Sequence, residues 1–458
     1  MFTPDHVLTL IGAGSAVFTR GLLADLISAD DLGSWEIRLV DTNPTALEGA
    51  AGLANKMIAA REVEDRVRVV ADVDRTKVLP GSDFVVTCVG VGGRPAWQAD
   101  HEITQRHGVY QAVGDSILPG GISRLIRTVP PLVEVAQDIA DLAPDALYFN
   151  YSNPMTANVM AINRYTGLDV VGLCHGMHHI QRELAEFIDK PLEETSTLYA
   201  GINHLTFIYD FRWQGRDAWP LVRERLDREL PVTGAEPDME QVGAIFYDKT
   251  SVWHHPFSWE IFRRYGAFPA AGDRHVTEFF PERWAQGSYF GKTLGQDAFS
   301  ITEILDWGEN RYQSMMRQAS GEDPLDESIF SRSSGEQEQL LAIIRSVLHD
   351  RRDIFSCNVV NRGTVPGLPD DSAPEVPGVA TARGIRPLAV PDLSAPLTAI
   401  LNRRLTSVYL ALEAAMTGSR DLVIEAMLAD GGVTDSDVAA ALTDDLIAAQ
   451  AQHLPRFA

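Results

Sequence analysis

Val7-Leu8-Thr9-Leu10-Ile11 runs directly into Gly12-Ala13-Gly14-Ser15-Ala16-Val17-Phe18, and an apolar-periodic segment through Leu22, Leu23 and Leu26 follows. A β-rich run, a glycine turn and a helix in that order constrain the fold more than any other stretch, because they form the opening βα unit of a dinucleotide-binding sheet. Gly12 is placed to make the tight turn. Gly14 lets a backbone approach a pyrophosphate, and the helix N-terminus supplies N–H groups and a favourable dipole. Val17 stands where the usual fingerprint has its third glycine. The next β-rich run, Glu36-Ile37-Arg38-Leu39-Val40, ends in Asp41. An acid at that tip accepts hydrogen bonds from a ribose diol and repels a 2′-phosphate, which favours NAD over NADP; the alternative is that Asp41 starts an ordinary turn with Thr42 and Asn43.

The alternation continues through expected strands at Val67–Val70, Phe84–Val89, Ala146–Asn150 and Val170–Leu173, with helical patterns between them. The fold class is therefore α/β: a Rossmann-like doubly wound parallel sheet over residues 1–190, like that of lactate and malate dehydrogenases, then a mixed α+β domain over 191–458. Ligands of such sheets lie beyond the carboxyl ends of the strands, where Gly90-Val91-Gly92-Gly93, Asn150-Tyr151-Ser152-Asn153-Pro154 and Cys174-His175 fall. Asn153 precedes a proline and is biased to an extended turn that aims its amide into the cleft. Asp100 and Asp115 flank a glycine-rich stretch and are candidates for a loop over the site.

A thiolate at Cys174 and an imidazole at His204 are ligands suited to one divalent transition metal, with His175 beside them as a group titrating near neutrality. Two ligands leave room for substrate, as a catalytic metal requires; the plainer alternative is a buried cysteine and a hydrogen-bonded histidine. Further on, Tyr265, Asp273, Arg274 and His275 crowd a short, glycine-interrupted segment ahead of Glu278-Phe279-Phe280-Pro281, an unfavourable set to assemble unless something polar binds there. Asn361-Arg362-Gly363 and the proline-rich span to Pro391 read as strand and turn, and Leu397 to Ala429 as long helices filling a core or a subunit contact.

Charge narrows the partners. A formal net charge of -24 argues against a nucleic-acid groove or an anionic membrane surface, so an anionic substrate must be met by locally placed Arg, Lys, metal or backbone N–H groups. Three widely spaced cysteines argue against a disulfide framework. With no basic leader and no run of membrane-spanning length, the expected location is the cytoplasm.

Gly12-Ala13-Gly14-Ser15 with Phe18, Asn153-Pro154, Cys174-His175, Gly201-Ile202-Asn203-His204, Asp273-Arg274-His275, Glu278-Phe279-Phe280-Pro281 and Asn361-Arg362-Gly363 together resemble glycoside hydrolase family 4, in that family's order and over nearly the whole chain. These NAD-dependent enzymes stand outside the two-carboxylate scheme of most glycosidases. The resemblance implies that NAD⁺ takes hydride from C3 of the sugar, a base removes the acidified C2 proton, the aglycone is eliminated, water adds and the hydride returns. It implies NAD held by Gly12, Gly14, Ser15, Phe18, Asp41 and Asn43, and a metal, typically manganese, held by Cys174 and His204. His175 matches the general acid. Asp273 matches the C2 base of some members and Tyr265 that of others; Asp273 is preferred, since a phenol needs a strong cation field to ionise near neutrality. Asn153 and Asp115 match sugar-hydroxyl contacts.

The segment around Asp273 resembles the α-galacturonidase branch most, with Arg274 placed to clamp a C6 carboxylate or, alternatively, to pair with a nearby acid. Asp100 remains a substrate-binding candidate. α-Galactosidase, α-glucosidase and α-glucuronidase are the alternatives within this mechanism, and an NAD-dependent dehydrogenase or a non-catalytic NAD-binding protein those outside it. A small carbohydrate substrate and a homodimer or homotetramer complete the expectation.

Overall fold

The computed structural model describes residues 2–229, 254–331, 338–390 and 393–458; Pro391, the end of the proline-rich span, lies outside them. A thirteen-stranded sheet runs through the molecule. Its first six strands are β1 (His6–Ile11), β2 (Trp35–Val40), β3 (Val67–Ala71), β4 (Phe84–Thr87), β5 (Leu147–Asn150) and β6 (Val171–Gly172), all parallel in the order β3-β2-β1-β4-β5-β6. This is the doubly wound order of dinucleotide-binding sheets. Burial on both faces explains the near-continuous apolar runs: all four residues of β4 and the last five of β1 are buried. Helices α1 (Phe18–Ser28) and α2 (Pro44–Ala60) return the chain between the first strands, α2 starting from an Asn43 cap and a proline at its first turn.

β6 covers only two residues of its apolar run, and the second half of the chain continues the sheet from it. Five further strands extend the same sheet in the order β9-β8-β7-β11-β10-β6: β7 (Thr195–Ile202), β8 (Leu205–Trp213), β9 (Phe268–Pro269), β10 (Ile354–Asn358) and β11 (Pro374–Thr381), and two short strands, Arg216–Asp217 beside β8 and Gly384–Pro387 beside β11, complete the thirteen. β10 lies antiparallel to β6 with Asn358 opposite Gly172. A Cβ on Gly172 would meet Met155 Sδ at 2.5 Å and Asn358 Cβ at 2.9 Å, so only glycine permits this approach. Strands from both sides of residue 190 thus share one sheet.

Two helices fix the loops at the strand ends. α3 (Gly93–Arg106) follows β4, and α4 (Leu118–Leu142) follows the Asp115 loop. The expected helical stretch from Leu397 to Ala429 is two helices, α10 (Ala395–Thr417) and α11 (Arg420–Asp430), broken at Gly418 with φ +73°. They brace the Asp115 loop from behind. Asp430 accepts from the backbone N–H of Leu118 at 2.5 Å and pairs with Arg404 at 2.8 Å, and Arg404 also donates to Phe279 O. Both partners are essentially buried. Among the described residues no helix is long and apolar enough to cross a membrane.

Candidate active site

At the carboxyl ends of β1, β2 and β4 lies a cleft of about 720 Å³, lined by Gly12, Gly14, Ser15, Asp41, Gly92 and Asn153 among others. Gly12 has φ +93°, and a Cβ there would fall 2.2 Å from Cys88 O, so the turn admits nothing but glycine. Asp41 accepts from the backbone N–H of Gly14 at 2.7 Å through one oxygen and from that of Asn43 at 2.8 Å through the other. It thereby ties the glycine turn to the tip of β2 and retains further lone pairs toward the cleft. Two residues assigned to this cleft are elsewhere. Phe18 is buried in the first turn of α1, its ring 4.4 Å from that of Tyr151, so it packs beneath the cleft. Asn43 spends its side-chain oxygen capping α2 through Thr45 N and Ala46 N.

A second cavity, of about 460 Å³, opens where the sheet's two halves meet, and its wall includes Cys174, His175, His204, Arg274, His275 and Lys292. Cys174 and His175 end the β6 segment, with His175 as the cap of α6 (Gly176–Phe187). Gly176 lets that helix start close against the chain after β9, since a Cβ would meet Ala270 O at 2.8 Å. His204 sits in the tight connection between β7 and β8 at φ +67°, a left-handed conformation that costs a residue with a Cβ about 1–3 kcal/mol. The connection is pinned by Asn203 N donating to Thr156 Oγ1 at 3.1 Å.

His204 belongs to a buried polar cluster. Asp115, His204 and His275 each place a ligand atom within 4.8 Å of the other two. The two imidazole rings stack at 3.8 Å, Ser116 Oγ lies 3.2 Å from His204 Nδ1, and Asn153 Nδ2 donates to Asp115 at 2.8 Å. Burial disfavours the Asp115 carboxylate, but its coupling to the adjoining imidazoles of His204 and His275, with Arg124 and a hydrogen bond from Ser116, outweighs burial and holds the group below the usual range. Burial pushes both imidazoles toward the neutral form, the form that binds metals. His275 Nδ1 is buried with no hydrogen-bond partner among the described residues. An orphaned imidazole nitrogen beside a carboxylate and a second imidazole fits a divalent cation. Cys174 lines the same cavity but is not part of this cluster.

Neither residue considered as the C2 base is presented to the cavity. Asp273, in the short helix α8 (Gly272–Val276), is fully buried and points inward: it accepts from Phe257 N at 2.7 Å, Ser258 N at 2.8 Å, Ser258 Oγ at 2.6 Å and Tyr289 OH at 2.7 Å. These bonds anchor the first turn of α7 (Pro256–Tyr265), satisfying its free N–H groups. Tyr265 is the last residue of α7, half-buried against the core and outside the cavity wall. Asp100 is likewise structural, completely buried and bonded to Arg127 at 2.7 Å, Ser123 at 2.7 Å and Gln450 at 2.9 Å. Asp273→Asn is accordingly expected to lower stability by about 1–3 kcal/mol in a denaturant titration. An unchanged midpoint with lost turnover would return Asp273 to the chemistry.

Arg274, next along α8, faces the other way, into the cavity, and its buried Nε has no hydrogen-bond partner among the described residues. Burial lowers its guanidinium from the usual value, and the Asp115 carboxylate opposes that shift. Glu278 accepts from Val113 N at 2.8 Å and Gly114 N at 2.7 Å, fixing the loop that carries Asp115. Burial and the charge of Asp115 push its carboxyl from 4.5 up to about 8. The native state therefore holds a proton there that the unfolded chain releases, so this group costs stability as pH rises from about 4.5 through about 8. Melting curves of Glu278→Gln against the unmodified chain should converge below pH 4.5 and separate in favour of the variant by pH 8. A constant difference across that range would contradict the assignment.

Sequence reasoning passed over His179, His254, His255 and Lys292 of the cavity wall, and His453, which reaches the cofactor-type cleft from the C-terminal tail. They come from four separate segments, and no local pattern links them.

A dinucleotide-type cleft opening toward a polar cavity with a cation-binding cluster is the architecture of an α/β enzyme acting on a small polar molecule. The chain belongs to the family 4 glycosyl hydrolases: the family's own model matches residues 7–190, and that of its C-terminal domain residues 199–433. It is similar to an α-galactosidase of Rhizobium meliloti (strain 1021), 30% identical over 98% of this chain and 89% of that one. It is also similar to an α-galacturonidase of Bacillus subtilis (strain 168), 28% identical over 93% and 94%. In fold it matches a 6-phospho-α-glucosidase from gut microorganisms, solved in complex with NAD and Mn²⁺, with a TM-score of 0.81 at 18% identity over 98% and 99% of the two chains. Family membership makes the chain a glycosidase and sets aside the dehydrogenase and non-catalytic alternatives.

Proposed function

We propose that the chain hydrolyses α-glycosides with bound NAD and a divalent metal such as Mn²⁺, and that its preferred substrate is an α-galacturonide. The observation that carries the substrate choice is Arg274, a partly buried guanidinium lining the cavity with a buried, unsatisfied Nε. A C6 carboxylate satisfies such a group by a bidentate pair, whereas a neutral hexose offers only a hydroxyl. The α-galacturonidase relative supports this reading, and the α-galactosidase relative keeps the neutral sugar as the main alternative.

When bound, the nicotinamide supplies reversible hydride transfer at the sugar and the cation supplies Lewis-acid polarisation of a sugar oxygen. The chain's own residues do the rest. Gly12, Gly14 and Ser15 cradle the dinucleotide and Asp41 receives its ribose diol. His204 and Cys174 would hold the cation, with Asp115 and His275, grouped around His204, as further donors. Asn153 and Asp115 orient the sugar hydroxyls, and His175 holds a proton for the departing aglycone. Homodimeric or homotetrameric assembly belongs to the same proposal; Trp307, half-exposed on α9 (Ile301–Ser320), is an apolar group such a contact would cover. So does a cytoplasmic location, in keeping with three cysteines that form no disulfide among the described residues.

The test is turnover by the reduced protein with Mn²⁺ and catalytic NAD⁺ on p-nitrophenyl α-galactoside and an α-linked digalacturonide. Faster cleavage of the digalacturonide supports the proposal, and preference for the neutral galactoside overturns the substrate assignment.

A further inference from the structure

Ser116 joins two parts of the chain that meet at the cation cluster. It stands on the loop before α4, whereas His204 stands in the β7–β8 connection, 88 residues further on. The serine is buried, with its Oγ 2.8 Å from Asp115 Oδ1 and 3.2 Å from His204 Nδ1. One hydroxyl thus serves two neighbours and has one proton to give.

The direction of that proton follows by elimination. An ionised carboxylate only accepts, so the 2.8 Å contact needs a proton, and the serine is its source. The second Asp115 oxygen accepts from Asn153 Nδ2 at 2.8 Å and has none to lend. With its proton committed to Asp115, Ser116 Oγ can only accept from His204, which places a proton on Nδ1. The charge of Asp115 acts in the same sense, since Oδ1 stands 3.7 Å from that nitrogen. A neutral imidazole has one protonated and one bare nitrogen, and a cation takes the bare one. In water the neutral ring prefers its proton on Nε2, so the protein has to impose the other form.

The serine is not free to turn away. A Cβ on Gly121 would fall 2.6 Å from Ser116 C and 3.0 Å from its N, so the first turn of α4 lies directly against the serine backbone. Two residues on, the Leu118 N–H is held by Asp430. On the other side the His204 ring is steadied by His275, with ring centroids 3.8 Å apart.

We propose that Ser116 is a positioning residue of the cation site: it holds His204 with its proton on Nδ1, so that Nε2 is the atom presented to the divalent metal. This rests on the reading of His204 as a metal ligand. Hydroxyl and carboxylate then act together behind the imidazole, as the outer partners of a metal-bound histidine do, fixing both tautomer and orientation. Each Asp115 oxygen keeps a further lone pair, so this task does not use up the carboxylate.

The experiment is long-range ¹H–¹⁵N correlation of the ring nitrogens in the metal-free, full-length protein labelled with ¹⁵N-histidine. It is run at mildly alkaline pH, where imidazoles are neutral, and His204→Gln identifies the signals. Wild type is expected to show His204 with a protonated Nδ1 and a bare Nε2. Ser116→Ala should move the ring toward the form protonated on Nε2, and Mn²⁺ titration followed by electron paramagnetic resonance should show roughly 10–100-fold weaker binding. Ser116→Thr keeps the hydroxyl and should restore both readouts. A wild-type ring protonated on Nε2, or wild-type ring signals in the alanine variant, would overturn the proposal. Failure of the underlying reading looks different: the proton would be on Nδ1 as expected, but Mn²⁺ binding would be identical in wild type, Ser116→Ala and His204→Gln, which overturns the role of Nε2.

Discussion

Arg274→Met is expected to lower kcat/KM on an α-linked galacturonide by about 10²–10⁴-fold, equivalent to about 3–5 kcal/mol, and to leave a neutral α-galactoside within a few-fold of the original value. The asymmetry follows from where the charge sits. Arg274 is largely buried, its Nε has no acceptor among the described residues, and the nearby Asp115 carboxylate opposes the effect of burial on its charge. A substrate carboxylate therefore meets a cation already largely removed from water, while a neutral sugar loses no pairing when the cation is removed. Steady-state kinetics on the two substrates checks this. Equal losses on both would mean that Arg274 shapes the cavity without reading the substrate's charge.

Arg404→Leu should be the most destabilising single change outside the cavity, by about 3–5 kcal/mol. It strands Asp430 in the core with the Leu118 N–H as its remaining described partner, and it frees Phe279 O at the same time. Burial already raises the Asp430 carboxyl, and Arg404 is the principal opposing charge. The effect should reach the site, because Leu118 starts α4 at φ +61° directly after the Asp115 loop and Phe279 follows Glu278. Urea unfolding of Arg404→Leu, Asp430→Leu and the double variant is the measurement. The double variant should be less destabilised than the sum of the singles, and a single-variant loss under about 1 kcal/mol would contradict a coupled buried pair.

What the sequence disclosed was whatever local chemistry determines. The strand, the Gly12-Ala13-Gly14 turn and Asp41 specify a βα unit within some thirty-five residues, and the sheet order follows from alternating apolar runs buried on both faces. Cys174, His175, His204 and Arg274 were chosen by chemical type and do line one cavity. Direction was not legible. In α8, Asp273 and Arg274 are adjacent, and five residues carry too little periodicity to say which turns inward; the free N–H groups of α7 and Tyr289 OH decide it for Asp273. Asp100 and Asp115 looked alike along the chain, yet Asp100 is claimed by Arg127 and Gln450, the latter 350 residues away. Asn43 and Phe18 sit beside the cleft in sequence, but capping of α2 and packing on Tyr151 use them. His275 was visible only as part of a motif, and its pairing with His204 depends on the turn that holds His204 at positive φ.

We propose, from the likeness to family 4 glycosidases, that cleavage proceeds through loss of the proton at C2 of the sugar rather than by direct displacement at C1. The most direct test runs hydrolysis of the preferred α-glycoside in D₂O with NAD⁺ and Mn²⁺, followed by mass spectrometry and NMR of the released sugar. The account predicts one deuterium at C2 per turnover and no lasting NADH absorbance. Complete hydrolysis with hydrogen retained at C2 would contradict it.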